Sequence, residues 1–256
     1  MTINNLIIEQ RTKEWYRKRL GRMTASAFGD LMAKPRYDFR KWSVKATEYI
    51  ERKAYEVVLD KYIYDAPFSP VAANWGINNE AQALRELKDS TNLEISEIGL
   101  VFSFENDQIA ATPDAAIWCH DSKDYVCLVQ VKCPYNGDYH EKFRTKVFNE
   151  RDLKRKKSSY YWQMQGEMWV ADTDKSYFVS FDPRRDESER LHYALVRRNE
   201  EDIRALKQKV YEALEERDAI VEDLWSGKRT LPRWFQPDFK PGAVERVLGI
   251  MPPTLI

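Results

Sequence analysis

Residues 112–132 read TPDAAIWCHDSKDYVCLVQVK, with fifteen residues between Asp114 and Gln130. The run 125–132 (YVCLVQVK) is rich in β-branched residues and bounded by turn residues, as a strand should be. The segment His120-Asp121-Ser122-Lys123-Asp124 ahead of it is turn-rich, and it joins the run to the preceding apolar one as a hairpin. With a period of two, Gln130 and Lys132 point to one face of that strand and Val131 to the other. Asp114, at the start of the preceding strand, then meets Gln130 at the same end of the hairpin. Two oxygen-bearing side chains and the Val131 backbone carbonyl make a hard-donor set suited to Mg²⁺, with Mn²⁺ able to substitute. Lys132 beside them can hold or deprotonate an attacking water, or neutralise charge developing on a phosphate. This is the arrangement expected for metal-dependent phosphodiester hydrolysis. A turn Asp and a polar strand edge would account for the same letters, and Gln130 brings no charge, so the neighbouring segments carry much of the weight.

Working outward, residues 43–59 place Tyr49, Ile50, Ala54, Val57 and Val58 at helical spacing, and a second helix runs from Trp75 through Glu80, Ala81, Leu84 and Leu87. Residues 97–104 (EIGLVFSF) and the run before Asp114 read as strands. Downstream, 158–171 reads as helix, 175–181 and 190–197 as strands, and 200–225 as an amphipathic helix. The order predicts an α/β (α+β) fold, a central mixed sheet flanked by helices, in a single domain over 1–228. Residues 229–256, rich in proline and bulky apolar side chains, read as an irregular C-terminal extension.

Composition agrees with a packed domain. Of 256 residues, 43% are hydrophobic and 13% aromatic, which excludes a disordered chain. No apolar run approaches the ~20 residues of a membrane span, and the first residues carry no basic-then-apolar signal pattern. Three cysteines without a CxxC pair and three scattered histidines give no disulfide framework, zinc site or iron–sulfur site. A soluble, cytoplasmic protein is expected. The net charge is zero but unevenly spread. Residues 11–53 hold 13 Lys/Arg against 5 Asp/Glu, and 142–157 hold 8 against 2, whereas 199–223 hold 4 against 9. A polyanion would use the first two segments and avoid the third.

Further candidates flank the hairpin. Glu80 in WGINNE adds a carboxylate on a helix. Arg19, Thr24 and Ser26 in RLGRMTAS combine a guanidinium with two hydroxyls, a set that suits a phosphate monoester, although either hydroxyl could equally cap a helix. Gln163 and Gln165 cannot share one helix face, so at most one faces a site. Tyr160 stands next to them, while the aromatic residues of 160–169 otherwise read as core.

The motifs RLGRMTAS, WGINNE, TPDA, VQVKCP, YYWQMQGEMW, FDPR and LHY, in this order and spacing, resemble the phage lambda exonuclease family. That family is the alkaline exonuclease, or YqaJ-like viral recombinase, branch of the PD-(D/E)XK nucleases. The resemblance runs from Trp15 to the helix ending near Trp225. It implies a restriction-endonuclease-like core and a ring-shaped homotrimer that threads duplex DNA. It further implies Mg²⁺-dependent, processive 5′→3′ degradation to mononucleotides, leaving a 3′ overhang for a phage-type single-strand annealing protein in a bacterial host. By position, Glu80, Asp114, Gln130 and the Val131 carbonyl resemble the metal set, and Lys132 the lysine of the motif. Arg19, Thr24, Ser26, Thr112 and Gln163, with Tyr160 beside them, resemble the pocket for the 5′-phosphate and scissile strand. His192 in LHY and Asp182 in FDPR are explained as a packed strand histidine and a strand-end turn.

One departure stands out: relatives carry Glu where this chain has Gln130. An engineered cleavage-impaired form, a natural variant that works with Gln, and a natural DNA-end-binding scaffold without cleavage are all compatible with it. A site-specific endonuclease of the same superfamily is the rival enzyme, and no base-reading element for one is identifiable.

Overall fold

The computed structural model describes residues 8, 10–37, 39–61, 63 and 70–232. Helix α1 (Lys13–Arg19) leads into strand β1 (Met23–Thr24), a single 3-10 turn (Ala25–Ala27) and the one-turn helix α2 (Phe28–Leu31). Helices α3 (Val44–Leu59) and α4 (Pro70–Thr91) follow, then strands β2 (Ile95–Ser96), β3 (Val101–Phe102), β4 (Ile109–Ala111), β5 (Ala115–Cys119) and β6 (Asp124–Lys132). Helices α5 (Gly137–Lys146), α6 (Glu150–Lys156) and α7 (Ser158–Val170) precede β7 (Lys175–Phe181), β8 (Leu191–Arg197) and α8 (Glu200–Trp225).

The principal sheet has the order β2-β5-β6-β7-β8, and a small one has the order β1-β4-β3. In the principal sheet β6 and β7 run parallel, and the other pairs run antiparallel. The connection α5-α6-α7 makes the crossover that a parallel pair requires. β6 is central and covered on both faces, so its apolar residues are nearly continuous. Leu128 belongs to the cluster beneath α7, whereas Val129 and Val131 pack with Ala83, Leu84 and Leu87 of α4. α7 is buried at every residue from Tyr161 to Val170, the polar Gln163, Gln165 and Glu167 included. The mixed sheet and flanking helices match the fold class expected from sequence.

Three differences have physical causes. The expected strand over 97–104 reduces to Val101–Phe102, because only these residues find a ladder partner, on β4. Ile98 and Leu100 are buried as loop residues. The basic run 142–157 is mostly helical, in α5 and α6, each capped by an asparagine side chain (Asn136 and Asn149) and each burying little more than Phe143 or Leu153. Its charges are partly tied up at home, by Arg144–Glu141, Arg155–Asp152 and Lys154–Asp202. Helix α4 begins at Pro70 rather than near Trp75, with proline in the first helical position where its missing N–H costs nothing. Beyond α8, Arg229 pairs with Glu51 and approaches the Tyr55 hydroxyl on α3. Residues 233–256 of the expected extension lie outside the described residues. Among the described residues no helix is long and apolar enough to cross a membrane.

Gly166 lets α7 approach the turn that carries Ser26. A Cβ there would stand 2.2 Å from Phe28 Cδ2, and Phe28 is fully buried. Gly166→Ala should therefore lose stability: overpacking costs about 1–3 kcal/mol, and here the upper end, against about 1 kcal/mol of gained helix propensity. The check is the urea midpoint, which should fall. An unchanged midpoint would mean that the Phe28 ring can swing aside.

Candidate active site

The end of the β5–β6 hairpin is closed twice by Asp114. Its N–H donates to the Val129 carbonyl at 3.1 Å, and its carboxylate accepts from the Val131 N–H at 2.6 Å. Gln130 Nε2 also donates to that carboxylate, so the two side chains meet as the hairpin reading requires. Lys132, two residues on and on the same face, donates to Gln163 Oε1 at 3.2 Å. Gln163 Nε2 in turn donates to Gln130 Oε1 at 2.9 Å and to Glu167 Oε1 at 2.8 Å. Lys132 can only donate, so it fixes the orientation of the Gln163 amide, and Gln163 Nε2 in turn fixes that of Gln130. Burial raises the Asp114 carboxyl to about 7, with the charge of Glu80 adding to the effect against Lys132, the Val131 N–H and Arg11. Burial raises Glu167 to about 8, and Asp114 contributes in the same direction.

The opposite wall is cationic. Arg19 is 7% exposed, yet among the described residues no carboxylate pairs with it. Its guanidinium donates to Thr112 Oγ1 at 3.0 Å, Ser26 Oγ at 3.4 Å and Thr24 Oγ1 at 3.5 Å, and lies over the Trp15 ring at 4.0 Å. The turn after Arg19 is gripped from α3. Glu56 accepts from the Gly21 N–H at 2.7 Å and pairs with Lys53 at 2.8 Å, and Lys53 reaches the Arg19 carbonyl at 3.5 Å. Gly21 has φ +68, and a Cβ there would strike Val57, so glycine suits this turn.

Both walls face one open cleft of about 360 Å³. It is lined by Arg19, Ser26, Glu80, Thr112, Asp114, Gln130, Val131, Lys132, Tyr160 and Gln163, which brings together all but one of the residues expected from sequence. The exception is Thr24, which is buried and reaches the cleft through Arg19 and Ser26. Thr24 also does not cap the turn that follows it. Tyr160 lies under Lys132 at 5.0 Å and Lys157 at 5.2 Å. Gln165 faces away, bonding the Arg197 carbonyl and the Asn199 N–H, so only Gln163 of the pair serves the cleft. His192 bonds the Val147 carbonyl and Asp182 holds Arg184, as packing and a turn require.

Several residues had no sequence signal. Gln10, Arg11 and Trp15 line the cleft, and Arg11 pairs with Glu80 at 2.8 Å. Glu167 is four residues after Gln163, one helical turn on; that spacing was legible, but its burial against the site was not. For a divalent cation, Glu80 and Asp114 offer carboxylates and Val131 a carbonyl. Burial raises the Asp114 pKa and the charge of Glu80 adds to it, so a cation beside both carboxylates would oppose that shift. Among the described residues no three His, Cys, Asp or Glu side chains group to hold a metal. A cation here would therefore rely on two carboxylates and neutral oxygens.

A mixed sheet with helices on its faces carries Asp114, Gln130 and Lys132 at the end of its central hairpin. The chain belongs to the YqaJ-like viral recombinase domain family, whose pattern matches residues 14–174. Its fold is similar to that of LHK-Exo, an alkaline exonuclease from Laribacter hongkongensis, with a TM-score of 0.70 at 23% identity over 85% of this chain and 98% of that one. It is also similar to a phage-related exonuclease from Haemophilus somnus 129PT, with a TM-score of 0.58 at 18% identity over 81% and 96% of the two chains. A putative uncharacterized protein ExoD of Escherichia coli K12 is 37% identical over 68 residues, 27% of this chain and 77% of that protein.

Burial lowers Lys53 from 10.5 to about 8, despite Glu56. Between these values the unfolded chain holds a proton that the folded one has released, so this group makes stability rise with pH across that window. The slope is at most about 1.4 kcal/mol per pH unit. Unfolding free energies of the parent and Lys53→Met, measured at pH 7.5 and 9.5, should show the parent gaining on the variant as pH rises. A constant difference would refute the depressed pKa.

Proposed function

We propose that this protein is a Mg²⁺-dependent 5′→3′ exonuclease on double-stranded DNA ends, releasing 5′-mononucleotides and leaving 3′ single-stranded overhangs. The observation that carries this reading is the division of one cleft into two halves. A buried guanidinium that no carboxylate among the described residues pairs with faces two carboxylates, so the cleft can hold a terminal phosphate on one side and a cation-bound phosphodiester on the other. Membership of a viral recombinase family supports DNA as the substrate. LHK-Exo, similar in fold, has been crystallised in complex with dAMP, a mononucleotide.

In this reading Arg19, Ser26 and Thr112 bind the 5′-phosphate, with Thr24 backing Arg19. Glu80, Asp114 and the Val131 carbonyl hold Mg²⁺, with Gln130 at the same end of the hairpin. The bound ion supplies the charge that polarises a phosphate oxygen and lowers the pKa of water. Lys132 orients the attacking water or takes its proton, and Gln163 keeps Lys132 pointed into the cleft. Tyr160, Lys157, Tyr139 and Lys142 continue outward as alternating rings and ammonium groups, each pair 5.2–5.5 Å apart, a wall suited to a nucleic-acid strand. A processive ring-shaped homotrimer, a cognate single-strand annealing partner, action in the bacterial cytoplasm and a nuclease domain over 1–228 complete the proposal. These rest on the motif resemblance.

The direct test is mononucleotide release from a linear 5′-phosphorylated duplex, with a covalently closed circle as control. Exonuclease consumes only the linear form. Attack on the circle would favour an endonuclease, and no release with tight end binding would favour the scaffold reading that Gln130 motivates. Asp114→Ala and excess EDTA should each abolish release while end binding persists; undiminished digestion under either condition overturns the metal assignment.

Arg19→Ala should slow phosphorylated ends more than hydroxyl ends, because a charge-assisted hydrogen bond contributes about 1.5–3 kcal/mol, roughly tenfold or more in rate. Equal slowing of the two would make Arg19 structural.

A further inference from the structure

Glu167 is 1% exposed, one turn of α7 beyond Gln163, which lines the cleft. One of its oxygens accepts from Gln163; the other, Oε2, is buried without a hydrogen-bond partner. A carboxylate in a helix interior with an unsatisfied oxygen is costly, and an apolar side chain would fill the space at less cost. The charges acting on it are those of the site itself, Asp114 and Lys132. At the same time Gln130, where a carboxylate is expected, is neutral. One amide joins the two positions: Gln163 Nε2 donates to Gln130 Oε1 at 2.9 Å and to Glu167 Oε1 at 2.8 Å.

We propose that Glu167 supplies from α7 the negative charge that Gln130 does not supply from β6, and so acts as a positioning residue for the divalent cation held by Asp114 and Glu80. The inference rests on the metal-dependent reading above. It accounts for both anomalies together, because Gln at 130 with Glu at 167 leaves the site the same total charge as the reverse pair. In a desolvated wall such a charge acts over more than contact distance. Were Glu167 only a hydrogen-bond acceptor that steadies Gln163, a glutamine carbonyl would serve as well.

The test is Mn²⁺ affinity at pH 8.5, above the raised Glu167 value so that this carboxyl carries its charge, read from the electron paramagnetic resonance signal of free Mn²⁺, for the parent, Glu167→Gln, Gln130→Glu and the double variant. Thermal melts of all four check that each is folded. Glu167→Gln should bind Mn²⁺ about tenfold or more weakly, and adding Gln130→Glu should restore near-parent affinity. Gln130→Glu should gain more in the Glu167→Gln background than in the parent, the non-additivity expected of sites that share one role. Parent-like affinity in Glu167→Gln overturns the inference, as does a double variant no tighter than Glu167→Gln. Should the parent bind no Mn²⁺, or Asp114→Ala bind it equally well, the metal-dependent reading fails and the inference with it.

Discussion

Asp114 fastens the end of the central hairpin with its main chain and its side chain at once, through the Val129 carbonyl and the Val131 N–H. A register slip of one residue would turn Gln130 and Lys132 to the α4 side and bury Val131 in the cleft. The side chain that the proposed chemistry needs is therefore also the one that fixes strand register. The α7 side follows from the same constraint. With Gln130 and Lys132 on one face, Gln163 finds a donor in Lys132 and acceptors in Gln130 and Glu167. The small residues of the adjoining turn and Gly166 allow α7 to lie close enough for those bonds to form.

The cationic half of the cleft is held differently. A buried guanidinium with no paired carboxylate among the described residues is expensive, since hydroxyls and an indole face recover only part of its hydration. The fold meets this cost by bracing the turn beyond Arg19 from α3, where Glu56 collects two backbone N–H groups and Lys53. Arg19 is thus rigid before any ligand arrives, and an incoming dianion gains charge-assisted bonds without the cost of ordering the side chain. On the far wall Arg11 pairs with Glu80. That wall is balanced at its rim, while at its floor burial weakens the acidity of Asp114 beside Lys132.

Much of this was legible in the sequence because it depends on local periodicity. The alternation of 125–132 placed Gln130, Val131 and Lys132 on their proper faces, and helical spacing separated Gln163 from Gln165. Helices with a strong apolar face or a clear cap, α3 and α8, lie where the pattern put them. Helices α1, α5 and α6 escaped notice because each buries only one or two residues, and their stability comes from asparagine or threonine caps and from tertiary packing. Arg11 and Glu167 escaped for another reason. Pairing across 69 residues, or burial against a strand 37 residues earlier, leaves no trace in spacing.

Gln130 is more than a missing charge. A glutamate there would set a second carboxylate against Asp114, whose own acidity is already weakened by burial and Glu80. The amide instead bonds in both directions, donating to Asp114 and accepting from Gln163. Turning it over would oppose its carbonyl to the Asp114 carboxylate and its NH₂ to that of Gln163, two repulsive contacts where Gln130 is only 2% exposed. The relay can therefore stand in one sense only, and it orders Asp114 and Lys132 ahead of any ligand. A cation entering between Glu80 and Asp114 must then compete with the Gln130 N–H for an Asp114 oxygen. A glutamate at 130 would impose no such competition, so in this chain the tightness of metal binding is set partly by how readily one hydrogen bond yields.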